Sequence, residues 1–101
     1  MTIHMRTTPD GLALSGELDM ASAGDFREFA TSAIDPSRRV VLDISELGFV
    51  DSSGVRSIVR LAESACPHGL ILFHPRDNVQ RVLDILAIEQ VQGVSVRRRD
   101  H

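Results

Sequence analysis

Side chains able to do chemistry concentrate in one stretch of this 101-residue chain, Leu47-Gly48-Phe49-Val50-Asp51-Ser52-Ser53-Gly54-Val55. Upstream, Arg39-Val40-Val41-Leu42-Asp43-Ile44-Ser45 is rich in β-branched residues and reads as a buried strand. Downstream, apolar residues at 55, 58, 59, 62, 65 and 66 fall on one helical face. Asp51-Ser52-Ser53-Gly54 therefore marks the passage from a strand to the first turn of a helix. Asp and Ser cap such a start, because their oxygens accept its first free N–H groups. The helix dipole and those N–H groups also favour added negative charge, which makes a serine hydroxyl there well placed for a phosphate. Gly54 carries no side chain, and close approach to the turn from outside is expected. Simple capping explains the same residues, and the local pattern leaves both roles open.

Other chemistries find no support. No Gly-rich phosphate loop of the Walker or dinucleotide type occurs. Gly48-Phe49-Val50-Asp51-Ser52 lacks the flanking glycines of a nucleophile elbow. A Ser-His-Asp site would need His4, His68, His74 or His101. His4 falls on the outer face of a strand, His68 in a loop and His101 at the chain end. Asp43 invites comparison with a phosphoaccepting aspartate, but the first strand supplies no acids to hold Mg²⁺ beside it. Asp43 reads instead as a solvated strand residue. Cys66 has no partner for a disulfide and no metal-ligand spacing around it. Its place on the helical apolar stripe predicts a buried, inert thiol. No enzyme activity, metal or cofactor is expected.

The elements that position this stretch follow from patterning. Thr2 to Thr7 alternates, with Ile3 and Met5 inward, and Pro9-Asp10-Gly11 supplies turn chemistry. Leu12, Leu14 and Leu18 continue as the inward side of a second strand, which makes the opening a hairpin. Ser22 and Asp25 resemble a capping box before the stripe Phe26, Phe29, Ala30 and Ala33, which Asp35-Pro36 ends. The strand 39–45 and the helix 52–66 come next, the latter stopped by Pro67. Leu70-Ile71-Leu72-Phe73-His74 reads as a strand buried on both faces. Asp77-Asn78 offers an N-cap to a helix with Val79, Val82, Leu83 and Leu86 on its apolar side. Val94-Ser95-Val96 closes as an edge strand before the basic tail at 97–101. The order β-β-α-β-α-β-α-β predicts a single α/β domain over residues 1–101, a mixed sheet with helices packed against it.

Composition narrows the partners. A hydrophobic fraction of 43% and a charged fraction of 25% are those of an ordinary globular chain. Four Phe with no Trp or Tyr offer no stacking platform for single-stranded nucleic acid, and a net charge of −3 points the same way. The acidic excess lies in the half that ends at Gly54, and all eleven cations are Arg. Arg97-Arg98-Arg99 is too short a run to imply nucleic acid and reads as a solvated tail. No apolar run approaches a bilayer span and no secretory leader opens the chain, so a cytoplasmic location without membrane insertion is expected.

Leu42-Asp43-Ile44 with Phe49-Val50-Asp51-Ser52-Ser53-Gly54-Val55 resembles the signature of STAS domains, in particular bacterial anti-sigma factor antagonists. Gly16-Glu17-Leu18-Asp19, the helix 52–66 and Asn78-Val79-Gln80-Arg81-Val82-Leu83-Asp84-Ile85-Leu86 extend the likeness over the whole chain. One departure is Ala87, where many relatives carry Gly. The resemblance implies that the unphosphorylated protein binds an anti-sigma factor serine kinase of ATPase fold and so frees a sigma factor. Phosphorylation of the serine after the Asp, here Ser52, breaks the complex, and a serine phosphatase restores it. Asp19, Asp51, Ser52, Ser53, Gly54 and Arg56 are then expected on the partner-binding surface. Asp19 is equally readable as an N-cap, Ser53 as a structural helix-start residue, and Arg56 and Arg60 as a solvated face. The expected state is a monomer or weak dimer. The alternative is a non-catalytic STAS subunit of a stress-signalling assembly or of a lipid-transport ATPase complex.

Overall fold

Pro9-Asp10 turns β1 (Ile3–Thr8) back into β2 (Gly11–Leu18), and the two pair antiparallel with Ile3 opposite Gly16 and Thr8 opposite Gly11. The structure is a computed structural model that describes residues 3–98. After the hairpin come α1 (Ala23–Ala33), β3 (Val40–Val50), α2 (Ser52–Ser64), β4 (Leu70–Phe73), α3 (Asp77–Ile85), a 3-10 turn at Ile88–Gln90 and β5 (Val94–Arg97). The expected element order holds, with the 3-10 turn added. Thr2, Arg99 and His101, given places in the strand and tail above, lie outside the described residues.

The sheet order is β1-β2-β3-β4-β5, and β2 to β5 are all parallel. Each parallel crossover therefore steps in the same direction, and right-handed crossovers place every helix on one face. Register confirms this. Leu12, Leu14, Leu42, Ile44, Leu70, Leu72 and Val94 share one core with Phe26 and Ala30 of α1, Val55 and Ile58 of α2, and Val79 and Leu83 of α3. Each fully buried Leu, Ile or Phe contributes about 1.5–3 kcal/mol relative to exposure. Because the helices cover one face only, β4 alternates between buried Leu70 and Leu72 and half-buried Ile71 and Phe73, rather than being buried on both sides.

β3 runs five residues past the expected 39–45, to Val50. Its pairing with β2 slips twice, between Ala13 and Ser15 and between Gly16 and Glu17. Each slip adds a residue to β3, so its buried positions run Ile44, Leu47, Val50 instead of alternating. On the other side β4 ends opposite Asp43, which leaves the rest of β3 without a strand partner there. Side chains take over. Arg76 Nε donates to the Ser45 carbonyl at 3.0 Å, and Asn78 Nδ2 donates to the Gly48 carbonyl at 2.8 Å. Asn78 thus braces β3 and does not cap α3, whose N-cap is Arg76 with no side-chain bond.

Helix details differ elsewhere as well. The Ser22–Asp25 capping box does not form; Ser22 Oγ donates to the Glu17 carbonyl at 2.8 Å and accepts the Asp19 N–H at 3.0 Å. α2 ends at Ser64, so Cys66 lies in the following turn and is exposed, while Leu61 and Ser57 join the buried face. Ser57 is satisfied there by donating to the Gly54 carbonyl at 2.6 Å. α3 ends at Ile85, which leaves Leu86 exposed. The basic run is not simply solvated: Arg97 belongs to β5, and Arg98 pairs with Glu89 at 2.7 Å and Asp84 at 3.5 Å.

Ala87 follows with φ 53 and ψ 45, a left-handed conformation that disfavours any side chain. This gives the Gly of many relatives a physical reason. Ala87→Gly should raise stability by about 0.5–1 kcal/mol, after the entropic cost of Gly is subtracted. In thermal unfolding that corresponds to roughly 2–6 °C, and an unchanged or lower Tm would contradict it.

Candidate functional site

The doubled slip in β3 carries its end to Leu18, where the Asp51 N–H reaches the Leu18 carbonyl at 3.3 Å. Asp51 is the N-cap of α2, with extended backbone as caps require. Its two carboxylate oxygens are divided. Oδ1 accepts the Gly54 N–H at 2.9 Å and Oδ2 accepts the Met20 N–H at 3.3 Å. One side chain therefore stitches the helix start to the loop that follows the hairpin.

That loop is shaped by Asp19. Its Oδ1 accepts the N–H groups of Ala21 at 3.0 Å and Ser22 at 3.1 Å, and its carbonyl accepts the Ala23 N–H at 2.8 Å. Asp19 thus shapes the turn before α1 without capping the helix, whose N-cap is Ser22. The turn pushes Met20 outward, 79% exposed. Phe49, two residues before Asp51, is 46% exposed.

Ser52 opens α2 and is exposed, whereas Ser53 is half-buried. Among the described residues the Ser52 hydroxyl makes no hydrogen bond, so it is free for modification or contact. Gly54 differs from expectation. It is buried, and a Cβ there would lie 2.3 Å from the Leu18 carbonyl oxygen and 2.8 Å from Val50 Cγ2. The missing side chain serves internal packing, not approach from outside. Arg56 is exposed on the next turn, beside Met20 and Ser53 in a groove between α1 and α2.

The structure thus brings Asp19, Asp51, Ser52, Ser53 and Arg56 to one end of the sheet and buries Gly54 beneath them. Met20 is the member that sequence reading missed. A large apolar residue between two capping signals, Asp19 and Ser22, was the available hint. The other chemical candidates lie apart. His4 is exposed on β1, His68 sits in the turn after α2, and His74 stacks on Phe73 with ring centroids 3.7 Å apart. Asp43 is half-buried and accepts from Ser45 Oγ at 2.7 Å and Ser45 N–H at 3.0 Å. No helix among the described residues is long and apolar enough to cross a membrane.

A family model described as Mlab, STAS domain, matches residues 1–94. The chain belongs to the STAS domain family. Its fold is also that of solved anti-sigma factor antagonists. A Thermotoga maritima protein assigned as an anti-sigma factor antagonist superposes with a TM-score of 0.74 at 19% identity, covering 94% of this chain and 86% of that one. The anti-sigma factor antagonist SpoIIAA in its unphosphorylated form superposes with a TM-score of 0.61 at 18% identity, covering 97% and 89%. No curated protein matches the chain. STAS domains are generally non-catalytic regulators.

Three substitutions separate the roles within this STAS site. Asp51→Ala should cost about 1–2 kcal/mol by removing the cap, and Asp51→Asn less than half of that, since one acceptor oxygen remains. Gly54→Ala should cost about 3 kcal/mol, because its Cβ meets backbone that cannot yield. Urea unfolding midpoints check the order, and a neutral Gly54→Ala would refute the packing account.

Proposed function

We propose that this protein is an anti-sigma factor antagonist whose partner binding is switched by phosphorylation of Ser52. The unphosphorylated form binds an anti-sigma factor serine kinase of ATPase fold and releases the sigma factor. Transfer of phosphate to Ser52 breaks that complex, and a serine phosphatase restores it. The protein is the substrate in this cycle and catalyses no step.

The observation that carries the reading is the exposed, uncommitted Ser52 hydroxyl at a helix start whose own cap is supplied by Asp51. A phosphate there adds nearly two negative charges without displacing a structural hydrogen bond. The helix N-terminus tolerates the charge, while a partner seated on Met20 and Phe49 meets new bulk and repulsion. The fold need not change for binding to be lost.

A second reading, a non-catalytic STAS subunit of a lipid-transport ATPase complex, draws support from the Mlab description of the family model, which names no anti-sigma factor. The two differ in what happens at Ser52. With ATP and the cognate kinase, one phosphate should be incorporated, and Ser52→Ala should abolish it. Ser52→Glu should weaken kinase binding by more than ~1.4 kcal/mol, a tenfold loss. Modification at another residue, or equal affinity of wild type and Ser52→Glu, would overturn the switch.

A further inference from the structure

Beside the switch, α1 and α2 leave a shallow groove between them, lined by Met20, Gly24, Arg27, Ser53, Arg56 and Arg60. Three guanidinium groups line it, Arg27 from α1 and Arg56 and Arg60 one turn apart on α2, and no carboxylate does. The groove continues past Arg27 and Arg60 to Leu61 and Glu63. All three arginines are exposed, and none forms an ion pair among the described residues, where the pairs involve Arg38 and Arg98. A chain of net charge −3 thus gathers three cations in one groove, none of them ion-paired among the described residues.

We propose that this groove binds an acidic segment of a protein partner. Arg27, Arg56 and Arg60 take its carboxylates, and Met20 packs against an apolar residue beside them. Guanidinium forks donate paired hydrogen bonds to carboxylates, and like charges held together gain most from a partner of opposite sign. Arg and Met are also residue types enriched at protein interfaces. The floor is open as well: a Cβ on Gly24 would have nothing within 4 Å, so a segment can lie close to the α1 backbone. Nucleic acid and membrane surfaces fit less well. Both require a broad cationic face, whereas the whole chain carries a net charge of −3 and these three cations line a single groove.

The proposal gives the partner's side of the switch surface a chemistry, and so rests on the reading of this surface as a docking site. Its test uses neither kinase nor phosphate, so it fails or succeeds separately from Ser52 phosphorylation. Fluorescence anisotropy is measured at low salt with a labelled amphipathic peptide of Glu and Leu, and with its counterpart carrying Lys in place of Glu. The Glu peptide should bind and the Lys peptide should not. Arg56→Glu combined with Arg60→Glu should weaken binding by at least about tenfold. Gly24→Glu should weaken it too, since it places a competing carboxylate in the groove while every arginine remains. Gly24→Glu also favours the helix, so loss of fold does not confuse the result. The proposal is overturned by failure of the Glu peptide to bind, by equal binding of the Lys peptide, or by indifference to the charge changes. Tighter binding of phosphatidylglycerol vesicles or of a single-stranded oligonucleotide than of the Glu peptide would overturn it as well.

Discussion

The two oxygens of the Asp51 carboxylate hold the functional end of this molecule together. One satisfies the first turn of α2 and the other secures the loop leaving β2. Three separate features of the chain put that carboxylate in place. The two slips in β3 lengthen it until Val50 lies opposite Leu18. Asn78 and Arg76 brace the stretch of β3 that has no neighbouring strand. Gly54 lets the helix start settle on the Leu18 carbonyl, where any side chain would collide.

Division of labour among adjacent residues follows. Asp51 is committed to structure through both oxygens, Gly54 through its missing side chain, and Ser57 through its bond to the Gly54 carbonyl. Ser52 alone in this turn carries an exposed and uncommitted hydroxyl. On the proposed scheme a charge is added and removed at Ser52 without breaking a structural hydrogen bond. Arg56 lies four residues beyond Ser52 on the same helix, at the spacing where side chains meet. On the proposed scheme a phosphate on Ser52 and a partner's carboxylate contend for that guanidinium.

The hairpin, the three helices and the element order of a mixed sheet were legible because their apolar periodicity is strong and their turns carry Pro, Gly and Asp. The site was legible in part, since Asp51-Ser52-Ser53-Gly54 lies between a β-branched run and a helical apolar stripe. What escaped detection has a common cause. The slips in β3 break strand alternation, so the strand seemed to end at Ser45. Helix ends were read too far along, which placed Cys66 and Leu86 on apolar faces that stop at Ser64 and Ile85. Gly54 was read as an opening because its neighbour across space, Leu18, is far away in sequence. The bracing role of Asn78 depends in the same way on Gly48, a contact no local pattern contains.

Parallel strands have a further consequence. β2, β3, β4 and β5 begin side by side at Gly11, Val40, Leu70 and Val94. The loops that enter them therefore gather at one end, while the Asp51 turn sits at the other, roughly 20 Å away along the strands. Among the described residues no side-chain hydrogen bond links the two ends. The entry loops are tied to one another, Val40 N–H to the Gly69 carbonyl at 3.1 Å and Leu70 N–H to the Gly93 carbonyl at 2.7 Å, and not to the Asp51 turn. On the proposed scheme the switch occupies one pole of the domain, and these loops occupy the other.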